Sequence, residues 1–140
     1  IAENYMKGVD TNILVYAFDL SCEEKRMKCK KIVWNVFNGI ESAAITNQIL
    51  AEFFIAVTKK IEKPLSVDEA KAIIGAILSS ENWKVFNYTA ETLFNTLDNN
   101  ISHFWDALIA RTFLENGIRE ILTENTADFS NLGIMAIKPF

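Results

Sequence analysis

The chain has one histidine, two cysteines and no long apolar run, and each shortage closes off a class of function. His103 alone cannot support a zinc site of the His-rich kind. Cys22 and Cys29 are seven residues apart in a helical pattern. That spacing is about 10 Å along a helix axis, too far for a bridge within one helix. They read as reduced, ordinary side chains rather than a redox or zinc pair. No stretch reaches the roughly 20 apolar residues of a bilayer span. The N-terminus lacks the basic-then-apolar pattern of a secretory leader, so the expectation is a cytoplasmic protein with no membrane partner. An excess of positive charge is missing too. The formal net charge is −4, so nothing draws the whole molecule to a polyanion. The one basic patch, Lys25, Arg26, Lys28, Lys30 and Lys31, reads as a solvated helix face, with phosphate steering the sharper alternative. Metal ions held by acids would reverse the local sign. There is no low-complexity linker and no internal repeat.

What is present is apolar material: 50% of 140 residues, enough for one packed domain and too little for two. Residues 1–140 are therefore expected to form a single domain. Met6 to Asp10 and Ser42 to Thr46 read as short strands. Ser21 to Asn38 reads as a helix, with Ser21 and Glu24 as a capping box and Gly39 as its stop. Asn47 is expected to cap a helix running to about Lys60, and Ser66 with Glu69 to open another that reaches about Ser80. Trp83 to Asn87 alternates toward a strand, followed by a helix from about Ala90 to Asp98. Phe104 to Asn116 is helical, stopped by Gly117, and Arg119 to Thr123 and Ile134 to Lys138 close the chain as strands. Strands separated by helices of this length imply crossover connections. The fold class is α/β: a three-layer α/β/α sandwich with a central parallel sheet.

Three acids stand alone in uncharged runs. Asp10 is the only charge between Gly8 and Phe18, Glu52 the only one between Ile45 and Val57, and Asp106 the only formal charge between Ile101 and Ala110. A carboxylate drawn into core material costs several kcal/mol unless compensated, and no Lys or Arg lies nearby in sequence. Singly, Asp106 could complement a helix dipole and Asp10 could form a turn. Glu52 is too deep for a cap and lacks a lysine one turn on. In open parallel sheets ligands bind beyond the carboxyl ends of the strands, where Asp10, Glu52 and Asp106 are expected. A fourth group comes from I-L-T-E-N-T-A-D-F, which offers Glu124, Asn125 and Asp128. Clustered carboxylates repel and would partly protonate without a counterion. Mg²⁺ or Mn²⁺, hard cations that prefer oxygen, would relieve this. His103 reads as a structural or substrate-facing residue near a helix start.

D-T-N-I-L-V-Y-A-F, an isolated helical Glu, S-H-F-W-D-A-L-I-A and L-T-E-N-T-A-D-F, in that order, resemble the PIN domain. The likeness is to the small single-domain members typified by VapC-type toxins, and it covers essentially the whole chain. It implies an Mg²⁺- or Mn²⁺-dependent endoribonuclease acting on RNA. By motif, Asp10, Glu52 and Asp106 match the first three acids. Many members carry T-x-D-x-D-F where this chain has Thr123, Glu124, Asn125, Thr126, Ala127, Asp128 and Phe129, so Asn125 replaces one acid and Asp128 is the expected fourth. The resemblance assigns metal binding and catalysis to Asp10, Glu52, Asp106 and Asp128. Thr11, Asn12, Thr123 and Asn125 become candidates for hydrogen bonds to those acids or to phosphate. It further implies a homodimer and a small antitoxin partner.

Two other readings compete. A PIN fold kept as a catalytically weak nucleic-acid-binding or interaction module draws support from the altered fourth motif. A receiver domain of two-component signalling is suggested by the closing I-K-P-F. That fold requires adjacent acids after its first strand and an aspartate ending a central strand, and neither is here.

Overall fold

The computed structural model describes residues 6–140; the first five, on which part of the leader reading rests, lie outside it. Among the described residues five short strands form one wholly parallel sheet: β1 (Lys7–Val9), β2 (Ala43–Thr46), β3 (Trp83–Phe86), β4 (Glu120–Leu122) and β5 (Met135–Ile137). Their spatial order is β3-β2-β1-β4-β5. Pairs such as Gly8 with Ala44 and Gly8 with Ile121 set the register of the central strand. A receiver-type sheet runs 2-1-3-4-5, so topology removes that reading. The fold is the α/β/α sandwich with a central parallel sheet that the sequence predicts.

Among the described residues six α-helices connect and cover the strands: α1 (Thr11–Tyr16), α2 (Glu23–Phe37), α3 (Asn47–Ile55), α4 (Val67–Ser79), α5 (Ala90–Thr96) and α6 (Phe104–Glu115). Helix α6 lies so close to β1 that a Cβ on Gly8 would meet the Phe113 ring at 2.6 Å. Successive strand residues face opposite sides, so Val9 points to the other helical layer, where it is fully buried with Ile13, Val33 and Phe53. Helix α6 ends as expected: Gly117 adopts φ 78°, which lets the Ile118 N–H reach the Phe113 carbonyl at 2.9 Å.

Several boundaries differ from the sequence reading. Helix α1 is absent from it, because Ile13-Leu14-Val15 carries no polar punctuation and Asp10 acts as the cap, accepting from the Thr11 N–H at 2.8 Å. The Ser21–Glu24 capping box does not form. Asp19 takes both the Ser21 N–H and hydroxyl, at 3.0 and 2.6 Å, and α2 starts at Glu23 without a side-chain cap. Thr46, not Asn47, caps α3. Asn47 instead accepts from the Gln48 and Tyr88 N–H groups, both at 3.0 Å, which ties α3 to the end of β3. The helix expected to reach Lys60 is α-helical only to Ile55 and continues as a π-helical segment, Ala56–Lys60. There Thr58 donates back to the Phe54 carbonyl at 2.6 Å. The Ser66–Glu69 box does form.

Candidate metal centre

Parallel strands send their carboxyl ends to one edge, and the singled-out acids gather there. Asp10 follows β1, its N–H completing the ladder to Leu122 at 2.9 Å. The side chain is 6% exposed and fully engaged. Oδ1 accepts from the Thr11 N–H at 2.8 Å, and Oδ2 accepts from the Thr123 hydroxyl at 2.7 Å and the Asn12 amide at 3.3 Å. Burial raises its pKa to about 6. The hydrogen bonds from Thr123 and Thr11 oppose the rise, and the charges of Asp106 and Glu52 add to it.

Glu52, half-buried on α3, accepts from the Thr11 hydroxyl at 2.6 Å on one oxygen and from the Gln48 amide at 2.9 Å on the other. The same Gln48 nitrogen donates to the Trp105 carbonyl at 3.0 Å. A line of hydrogen bonds thus runs from Thr123 through Asp10 and Thr11 to Glu52, Gln48 and the first turn of α6. Asp106 is in that turn. Its partial burial and the charges of Asp128 and Glu52 raise its pKa, while His103 lowers it. Asp128 comes from the 3-10 turn Thr126–Phe129 after β4. One donor atom each from His103, Asp106 and Asp128 falls within 4.8 Å of the others. That spacing is one a single divalent cation can bridge, and two carboxylates with one imidazole form a donor set that transition ions and hard cations both accept. The residues present fit a divalent metal.

The tight group therefore differs in membership from the triad stressed in the sequence. Asp106 is shared, His103 and Asp128 join it, and Asp10 with Glu52 form a hydrogen-bonded wall beside it, felt by Asp106 through charge. Glu124 faces elsewhere, ion-paired with Lys25 and accepting from the Tyr16 hydroxyl at 2.5 Å. Against its partial burial, those donors hold it below the usual carboxylate range, and Glu124 in turn raises the Lys25 pKa. Asn125 is exposed, its N–H donating to Thr123 at 3.1 Å. Asn12 clamps the loop after β4, its carbonyl oxygen accepting from the Glu124 N–H at 3.1 Å.

Sequence reasoning set His103 aside and missed Gln48. The His103–Asp106 spacing of one turn, and the Q-x-x-x-E spacing of Gln48 to Glu52, were the available signals. A cavity of about 930 Å³ between Met6, Ile32, Ile40 and Glu81 opens at the opposite, amino end of the strands and holds none of these groups. Cys22 and Cys29 are free thiols, and burial pushes Cys29 up to about 11, far from reactive thiolate chemistry.

Solved structures share this architecture. A toxin–antitoxin complex from Klebsiella pneumoniae superposes with TM-score 0.64 at 19% identity, covering 96% of this chain and 98% of that one. VapC20 of Mycobacterium tuberculosis, a sarcin–ricin loop cleaving toxin, gives 0.60 at 17% identity over 81% and 85%. VapBC2 of Rickettsia felis, bound to a DNA fragment from its promoter, gives 0.59 at 18% over 95% and 98%. At such identities the likeness is one of fold. No protein-family model and no curated protein matches the sequence.

Proposed function

We propose, from the premise that this chain carries the PIN-type fold of the VapC toxins, that it is a divalent-metal-dependent endoribonuclease and the toxin of a toxin–antitoxin pair. The observation that carries the reading is the cluster of His103, Asp106 and Asp128 at the carboxyl edge of the sheet, beside the hydrogen-bonded Asp10 and Glu52. Among the described residues, no Lys or Arg is a hydrogen-bond or ion-pair partner of these groups. A buried Asp10 beside half-buried, like-charged Glu52, Asp106 and Asp128 fits a cation better than it fits stability. Asp106 and Asp128, with His103, would hold Mg²⁺ or Mn²⁺, and Asp10 and Glu52 would complete the negative wall around it. A divalent ion there supplies charge neutralisation at phosphate oxygens and activation of a water toward the phosphodiester. Thr11, Asn12 and Thr123 keep the Asp10 and Glu52 carboxylates in one orientation through their hydrogen bonds. The nearby Lys25 is neutralised by Glu124, which leaves Lys28, Lys30 and Lys31 as the exposed cations of α2 for an RNA backbone.

The neighbours are described as toxin–antitoxin complexes and a sarcin–ricin loop cleaving toxin, and from them we extend to this chain an antitoxin partner and an RNA substrate; a cytoplasmic setting is our own expectation. A homodimer is expected as well. Among the exposed apolar side chains, Phe94, Leu97, Ile101 and Trp105, between 58% and 80% exposed, lie close together in sequence, and this is the surface we assign to such partners. Among the described residues no helix is long and apolar enough to cross a membrane. The test is cleavage of structured RNAs by the purified chain with Mn²⁺, Mg²⁺ or a chelator. Cleavage should need the ion and vanish in Asp106→Asn. Cleavage that survives chelation, or full activity in that variant, overturns the proposal. Metal binding with no cleavage of any RNA favours the binding-module reading instead.

A further inference from the structure

Gln48 is the only glutamine of the 140 residues, is 6% exposed and sits one turn before Glu52 on α3. Its amide nitrogen donates 2.9 Å to Glu52 Oε2 and 3.0 Å to the backbone carbonyl of Trp105, the residue before Asp106. Both partners only accept, so the orientation of the amide is fixed by chemistry: a flipped group would set oxygen against oxygen twice. The remaining atom, Gln48 Oε1, is then buried with no hydrogen-bond partner, a state shared among the described residues only by Trp83 Nε1. A buried carbonyl left without a donor has lost its water and gained nothing in return. Such an atom beside a cluster of acids points to a donor that arrives from outside the chain. The ion pairs among the described residues, Lys25–Glu124 and Arg26–Glu23, both involve other groups. A hydrated divalent cation brings water, and water donates.

We propose that Gln48 is the positioning residue of this metal centre. Its nitrogen fixes the spacing between Glu52 and the α6 turn that carries Asp106, and its carbonyl oxygen accepts a hydrogen bond from water accompanying a hydrated divalent cation. The proposal rests on the metal-dependent reading above and deepens it. Thr11 holds the other Glu52 oxygen, so Gln48 and Thr11 together tether both carboxylate oxygens. Partners that orient ligands in this way change metal affinity about 10–100-fold.

Because no second glutamine exists, protein grown with heavy-nitrogen glutamine gives a single side-chain amide pair in an NMR spectrum. Titrating Mg²⁺ into the full chain should move that pair saturably, with the dissociation constant that calorimetry gives for the same ion. A pair that stays put while calorimetry registers binding overturns the proposal and leaves the metal reading intact; an ordinary trapped water would behave in that way. No calorimetric binding at all overturns both. Gln48→Met, close in volume and unbranched, should weaken Mn²⁺ binding about tenfold. Its metal-free Tm should change little, because losing the orphaned oxygen offsets the donor lost to Glu52 Oε2 and the Trp105 carbonyl. In the double variant with Glu52→Gln, Gln48→Met should add less loss than it causes alone, because part of its effect passes through Glu52. Wild-type Mn²⁺ affinity together with a lowered metal-free Tm would mark Gln48 as a structural residue only and overturn the proposal.

Discussion

Burial holds Asp10 protonated up to a pH of about 6, against 3.8 for a free aspartate. Between those values the folded chain keeps a proton that the unfolded chain has released, so metal-free stability falls as pH rises through that window, and the deficit is complete above about pH 6. Across the whole window the deficit amounts to about 3 kcal/mol. Asp10→Asn removes the charge and most of this deficit, offset by one awkward amide pairing with Asn12. The variant should therefore melt higher than the wild type without metal, by about 2–5 °C near neutrality. The gap should narrow as pH drops toward 4, and scanning calorimetry across pH 4–7.5 reads both effects. The same variant should lose RNA cleavage, and a variant that is both less stable and fully active would contradict the assignment. The sequence isolated Asp10, Glu52 and Asp106 because a charge alone in an apolar run is visible without coordinates. It could not rank His103 or find Gln48, since a lone imidazole or amide in a sequence leaves no mark of that kind until its partners are known.

At the scale of elements, capping chemistry was legible where donor and acceptor are local and uncontested. Ser66 accepts from the Glu69 N–H at 3.1 Å, and Glu69 returns the bond at 2.9 Å. Ser66→Ala should cost about 1 kcal/mol in urea unfolding. The parallel expectation at Ser21 failed because Asp19, two residues earlier, competes for the same serine. Pattern reading counts the box and cannot see the competitor. Helix α1 was hidden for the opposite reason: its six residues are too few to show a period, and its cap is the catalytic candidate itself. Gly8 links element to site. Gly8→Ala would drive a Cβ into the Phe113 ring and push α6 off β1, destabilising by about 1–3 kcal/mol. Pairing it with Phe113→Leu should recover part of the loss, a non-additivity measurable by denaturation.

For the whole molecule, net charge and local charge have to be separated. The chain carries −4 overall, and four acids at one edge concentrate much of that repulsion. Saturating Mn²⁺, at about a hundred times its dissociation constant, should raise unfolding stability by about 2.7 kcal/mol. The rise should shrink at pH 5, where Asp10 is mostly protonated and protons compete with the ion. Thermal shift with and without chelator measures both. The exposed Phe94, Leu97, Ile101 and Trp105 lie close together in sequence, and apolar groups that gather on a surface are the kind that mark an association site. Sedimentation should report a dimer, and Phe94→Ser with Ile101→Ser should return a monomer without lowering its melting temperature, because neither side chain is buried in the single chain.

Alternating apolar runs, turn residues and lone carboxylates determined by themselves the layered parallel fold and singled out Asp10, Glu52 and Asp106 as candidates, because hydrophobic period and the expense of burying charge are written residue by residue. Which donor atoms lie close enough to share one ion was decided only in three dimensions. The crossing of α6 over β1 at Gly8 and the turn after β4 bring Asp128 to Asp106 and turn Glu124 toward Lys25. Such distances depend on how helices pack, and no local pattern encodes them.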